Sequence, residues 1–218
     1  FTFENATKIY FGGGCVKEHL LEAVKPYGET VMLAYGGGSI KTNGIYQEVM
    51  DVLKLAGKQV IEFSGIMPNP TYSKVMEGKK VVQENQVDLI LAVGGGSVMD
   101  CSKAISMAAA TDKDVWEEYW IKKGEIDFEP VPVGVIVTVV GTGSEVNGEG
   151  VITHEEQKIK TSRNYPRCNP VFAMMDPKYT YTVSPLQTAA GGFDMLSHVM
   201  DISAHRMRII FRMRSRRR

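Results

Sequence analysis

The 218-residue sequence is short of cysteine: Cys15, Cys101 and Cys168 lie far apart, and no Cys-x-x-Cys pair occurs. That spacing excludes a disulfide scaffold, a zinc ribbon and a thioredoxin-type redox motif, so the three are expected to be reduced packing residues. No apolar run approaches the roughly 18 residues of a membrane span. The start, Phe1-Thr2-Phe3-Glu4-Asn5, lacks the basic and apolar regions of a signal peptide. The expectation is a soluble, cytoplasmic protein with no membrane partner. A Gly-x-x-x-x-Gly-Lys-Ser/Thr loop is also missing, which removes the P-loop nucleotidases. Arginine is scarce over most of the chain, because seven of its nine copies fall in residues 206–218. Without those seven, eighteen basic residues face twenty-five acidic ones, so the net charge of zero averages an acidic body and a basic end. Nucleic-acid binding is not expected of that end. Met207, Ile209, Ile210, Phe211 and Met213 interleave its arginines as in an amphipathic basic helix.

What the sequence does have is apolar material for a core, 44% of its residues. It also has an alternation of short apolar runs with helix-spaced stretches. Strands are expected over 30–35, 60–63, 88–93, 133–138 and 172–176, and helices over 40–56, 71–85 and 98–110. Such alternation indicates βαβ units, an α/β fold with a mostly parallel sheet, and ligands bound beyond the carboxyl ends of the strands. Residues 148–160 read as a hairpin decorating the sheet, and 186–200 as a helix beyond a boundary near 180–185. His19, His154, Trp116 and Trp120 are expected to be surface or packing residues.

Glycine is plentiful, and its placement points to a ligand. Gly12-Gly13-Gly14-Cys15, Gly36-Gly37-Gly38-Ser39 and Gly94-Gly95-Gly96-Ser97 share one form, and Gly141-Thr142-Gly143-Ser144 is close to it. The turn at 94–97 follows a strand and opens a helix, so its N–H groups and the helix dipole would face an anion such as a phosphate. It departs from the Gly-x-Gly-x-x-Gly fingerprint at Met99. The run 34–41 holds no acid to bind an adenosine ribose. Its glycines, Ser39 and Lys41 could accept a 2′-phosphate instead, which suggests NADP(H).

Four ordered motifs resemble those of the iron-containing alcohol dehydrogenases: residues 1–12; Gly94 to Lys103; Gly141-Thr142-Gly143-Ser144-Glu145; and Gly192-Phe193-Asp194-Met195-Leu196-Ser197-His198. The likeness runs from residue 1 to about 201 and is strongest to the NADP-dependent butanol dehydrogenase or aldehyde reductase branch. It implies a dinucleotide-binding α/β domain over 1–182 and, over 183–201, the first helix of an all-helical metal-binding domain, the dehydroquinate synthase-like architecture, with a divergent Arg-rich tail over 202–218. It implies Gly37, Gly38 and Ser39, and Gly95, Gly96, Ser97 and Asp100, as cofactor-binding residues. Thr138, Thr142 and Ser144 would line the cleft, with Lys160 and Tyr179 near the ribose or adenosine portion. Asp194 and His198 would bind Fe2+ or Zn2+, completed in the family by two histidines further downstream.

The spacing of that pair agrees with the resemblance. An acid and a histidine four apart on a helix lie about 40° apart around the axis and roughly 6 Å along it, so both can reach one ion. His205 and Asp201, about 16 and 10 Å along the axis from Asp194, cannot join them. The chain therefore supplies at most half of the expected site. The activity implied is hydride transfer between NADP(H) and small primary alcohols or aldehydes such as butanol and butanal, and a homodimer is the one assembly considered. The alternative is a non-catalytic nucleotide-binding fragment without a complete metal site. No separate side-chain base is identifiable.

Overall fold

The computed structural model describes residues 5–215, and side chains as far as residue 201. Phe1 to Glu4 of the first motif and the side chains of the Arg-rich end therefore lie outside what is described. The centre is a six-stranded, wholly parallel sheet in the order β1-β8-β5-β4-β2-β3. Its strands are β1 (Lys8–Phe11), β2 (Thr30–Tyr35), β3 (Gln59–Phe63), β4 (Leu89–Gly94), β5 (Val133–Val137) and β8 (Phe172–Met175). Every residue of β4 and β5 is buried, as in parallel sheets covered on both faces.

The period of two along the strands sorts the core into two layers. Met32, Ala34, Ile90 and Ala92 face α4 (Tyr72–Glu84) and α5 (Gly96–Ala109). Val31, Leu33, Leu89 and Leu91 face α1 (Cys15–Val24) and α3 (Ile45–Leu55). The three cysteines are buried in these layers, and burial pushes the Cys101 and Cys168 thiols up to about 12, so they are packing residues.

Some elements differ from the expectation. The stretch 40–56 is two helices, α2 (Ser39–Thr42) and α3, because Gly44 between them sits at φ +85°, a left-handed conformation that interrupts the helix. The helix expected to start at residue 98 starts at Gly96, so the glycine turn is itself its first turn. The edge strand β1 carries no long apolar run, since Ile9 and Phe11 are exposed, and no strand was expected there. The hairpin is longer than 148–160: β6 (Glu149–His154) pairs antiparallel with β7 (Ile159–Asn164). Trp116 and Trp120, both buried, dock on it. Trp116 donates its indole N–H to Gln157 (2.8 Å) and Trp120 donates to the Gly150 carbonyl (3.1 Å). His154 stacks between Tyr72 and Trp116, with ring centroids 5.1 and 5.0 Å away, and His19 stacks on Tyr10. The last element is α6 (Pro185–Ser215), on which Phe193, Leu196 and Val199 are exposed. No helix of the described residues is long and apolar enough to cross a membrane.

The base of the hairpin depends on Gly148, where a Cβ would fall 1.8 Å from the carbonyl oxygen of Tyr165. Neither backbone can retreat without breaking the Tyr165 N–H to Gly148 carbonyl bond (3.2 Å). Gly148→Ala is expected to destabilise the protein by about 2–4 kcal/mol. Chemical denaturation would show this as a lower midpoint with an unchanged slope.

Candidate functional site at the strand ends

Chain connectivity reverses between β2 and β4. From β2 the chain moves outward to β3, and from β4 it moves to β5 on the other side, which leaves a crevice at their carboxyl ends. Tyr35 pairs with Val93 and Gly94 with Val137, so the segments leaving β2, β4 and β5 emerge side by side at one level. The turns at 36–39 and 94–97 and the loop from Thr138 to Ser144 thus form one rim.

Sterics explain the glycines at 94–96. A Cβ on Gly95 would lie 3.0 Å from Val139 and one on Gly96 2.8 Å from Thr142, so the loop after β5 rests directly on the turn. Thr138 donates its N–H to the Gly94 carbonyl (3.0 Å) and closes this contact. The first helical N–H groups of α5, at Gly96 and Ser97, have no partners within the helix, and the helix dipole places partial positive charge beside them. That arrangement suits an anion. The turn at 12–14 does something else: Gly14 donates its N–H to the Asp176 carboxylate (2.6 Å), docking β1 against the end of β8.

Asp100 and Ser144 meet each other. Ser144 Oγ donates to Asp100 Oδ1 (2.5 Å), and the Val151 N–H donates to Asp100 Oδ2 (3.1 Å). The sequence reading gave no role to Lys103, although it lies at the centre of this cluster, 1% exposed. Its Nζ donates to the carbonyl and Oγ of Ser144 (3.0 and 2.8 Å) and to the carbonyl of Asn147 (3.0 Å), and lies 3.8 Å from Asp100. Burial pushes the ammonium down to about 8 against the pull of Asp100, and the Asp100 carboxyl up. The signal that could have found it was a lysine inside an apolar, alanine-rich helix most of whose residues are buried.

The run 34–41 has no acid, yet the structure brings one to the turn. Glu62 of β3 pairs with Leu33 of β2, and its carboxylate accepts from Tyr35 Oη (2.5 Å), Tyr46 Oη (2.6 Å) and Lys41 Nζ (2.9 Å). Lys41, read from sequence as available to a phosphate, is therefore already ion-paired. The three donors, Tyr35 first, hold the Glu62 carboxyl at about 2. Only strand pairing reveals this acid.

Tyr179 is buried and donates its hydroxyl to Glu48 of α3 (2.8 Å), beside a hollow that includes Asn43 and Lys178. Lys160 lies on the hairpin, where its Nζ donates to Asn69 (2.6 Å). On α6, His198 Nε2 and Asp194 Oδ1 are 3.7 Å apart, and both side chains are open to solvent. Asp194 also faces the rim: its Oδ2 lies 3.6 Å from where a Cβ on Gly141 would be. Among the described residues, no group of three or more His, Cys, Asp or Glu side chains converges on a point that could hold a metal ion. The pair fits part of a metal site, one carboxylate oxygen and one imidazole nitrogen on adjacent helical turns.

Residues 6–177 match the family model of the iron-containing alcohol dehydrogenases. The chain belongs to that family. It is 44% identical over 205 residues to a probable NADH-dependent butanol dehydrogenase 1 of Bacillus subtilis, covering 94% of this chain and 52% of the relative. It is 38% identical over 202 residues to the NADPH-dependent aldehyde reductase YqhD of Escherichia coli, covering 92% and 51%. Among solved structures, the NADH-dependent butanol dehydrogenase A of Thermotoga maritima superposes with a TM-score of 0.85 at 38% identity, covering 92% of this chain and 50% of that one. The chain thus spans about half the length of the relatives it matches.

Removing the Lys103 ammonium leaves the Asp100 carboxylate without its counter-charge and the carbonyls of Ser144 and Asn147 without this donor. Lys103→Met is expected to cost about 3 kcal/mol of stability. The folded state holds Lys103 near 8 instead of the ordinary 10.5, so across that window the unfolded chain binds more protons. Denaturation curves should show the margin of parent over variant widening as pH rises from about 8 toward 10.5.

Proposed function

We propose that this protein is an NADP(H)-linked oxidoreductase of small primary alcohols and aldehydes, such as butanol and butanal, working with a metal ion, Fe2+ or Zn2+. The observation that carries the reading is the crevice between β2 and β4, where two glycine turns and a helix N-terminus meet at the switch point of a parallel sheet.

In this reading the N–H groups of Gly96 and Ser97 hold the pyrophosphate at the start of α5. Gly37, Gly38 and Ser39 receive the adenosine end, with Tyr179 and Lys160 toward the adenosine and ribose. Thr138, Thr142 and Ser144 line the cleft. Asp100 keeps Ser144 in place, its two oxygens accepting from the Ser144 hydroxyl and the Val151 N–H. The loop at 138–144 and Asp194, whose carboxylate stands beside Gly141, would receive the nicotinamide end. Asp194 and His198 are the residues of this chain that would hold the metal, and in the whole protein further donors complete its shell. A metal held there would supply a Lewis acid for the substrate oxygen. The chain's own residues hold the coenzyme so that the hydride passes between its nicotinamide carbon and the substrate carbon.

NADP(H) is preferred here because the turn at 36–39 offers N–H groups and the Ser39 hydroxyl, while Lys41 keeps two N–H donors beyond its pair with Glu62. The names of the relatives divide on this point, with NADH for the Bacillus and Thermotoga proteins and NADPH for YqhD. Oxidation of NADPH by butanal in the presence of Fe2+ or Zn2+, compared with NADH, tests the reading. NADPH is expected to be the better coenzyme, and Asp194→Ala is expected to lower turnover at least about a hundredfold. NADPH binding without turnover would instead mark this chain as a nucleotide-binding fragment, and equal or better rates with NADH would refute the coenzyme preference.

A further inference from the structure

The carboxylate at the adenosine turn is used by neither the fold's core nor the reaction above. Glu62 sits near the carboxyl end of the edge strand β3, and its side chain is 41% exposed, as is Lys41 at 46%. Three donors converge on it: Lys41 and Tyr35 on Oε2, and Tyr46 on Oε1. The lysine is further fixed by the two rings, its Nζ lying 4.5 Å from the centroid of Tyr46 and 5.3 Å from that of Tyr35. Its backbone is held by a hydrogen bond from its N–H to the Gly38 carbonyl (2.9 Å). Of these groups, Tyr35 and Lys41 border a hollow between the 36–38 turn and Ser64-Gly65, open to solvent.

Charge bookkeeping at this hollow separates two ligands that differ by one phosphate. A 2′-phosphomonoester brings close to two negative charges and seeks cations and N–H donors. A free ribose 2′-hydroxyl is neutral and gains little from either. Lys41 spends one of its three N–H donors on Glu62 and keeps two, but the anion beside it cancels its charge. The pair together is neutral, so Glu62 withholds from a 2′-phosphate the attraction a free ammonium would give.

We infer that Glu62 is a specificity-determining residue that sets how strongly the adenosine turn favours a 2′-phosphorylated dinucleotide, by neutralising and positioning Lys41. The inference rests on the proposed placement of the coenzyme's adenosine end at this turn. Glu62 touches no coenzyme atom and acts through the lysine. It therefore narrows a preference and does not create one, in accord with a family whose members carry either coenzyme in their names.

The test is the ratio of dissociation constants for NADH and NADPH, measured by quenching of protein fluorescence on the parent chain and three variants. Glu62→Gln keeps acceptors for the tyrosines and removes the charge. Its ratio is expected to shift about fivefold toward NADPH, a size set by a charge-assisted hydrogen bond discounted for exposure. Lys41→Met should shift it the opposite way, and Glu62→Asp, which keeps the charge, should lie near the parent. A purely structural role would weaken both coenzymes alike and leave the ratio where it was, which would overturn the inference. Ratios in Glu62→Gln and Lys41→Met that move in the same direction would also overturn it. If the parent binds neither coenzyme, the reading of the turn as an adenosine site fails and takes this inference with it. Parent binding with an unmoved ratio removes the role of Glu62 alone.

Discussion

The ammonium of Lys103, enclosed beneath the helix after β4, donates to Ser144 and Asn147 and so fastens the loop after β5 to α5. Asp100, one turn earlier on that helix, takes the hydroxyl of Ser144 and the N–H of Val151, which ties in the hairpin as well. Three separate stretches of chain are thus joined through the pair Lys103 and Asp100, whose side chains are 1% and 13% exposed. The loop held this way leans on Gly95 and Gly96 and approaches α6 at Gly191 and Asp194. The shape of the crevice follows from that attachment. A looser loop would leave the α5 N-terminus without its roof and Asp194 without its neighbour.

The glycine turns follow from the same constraint. Where Gly95 and Gly96 meet Val139 and Thr142, the glycines exist because a second segment passes too close for a Cβ. At Gly44 the reason is backbone conformation, and at Gly14 the turn gives Asp176 an N–H to accept. A similar string of glycines therefore serves three purposes in one chain, and the turns at the switch point of the sheet are the ones proposed to face the coenzyme.

Much of the fold was legible because the central strands are short apolar runs, several of them followed by glycine turns and helix-spaced stretches. The buried strands at 30–35 and 88–93 and the helices following them have the periods that burial on two faces demands. Strand β1 was not legible: it is a four-residue edge strand with outward Ile9 and Phe11, and its existence depends on pairing with β8, 164 residues away in sequence. Glu62 was hidden for the same reason, since the acid at the turn after β2 is supplied by the neighbouring strand. Lys103 was in view within a motif, but burial alone gives it meaning. The pair Asp194 and His198 was legible from helical spacing, and the structure adds that the carboxylate stands at the rim of the crevice.

The central claim is that the crevice between β2 and β4 is a dinucleotide site. A crystal structure of the chain with NADPH tests it most directly. The account predicts the pyrophosphate against the N–H groups of Gly96 and Ser97 and the adenosine ribose at the 36–39 turn. Density for the dinucleotide on any other surface, with the crevice filled only by solvent, would contradict it.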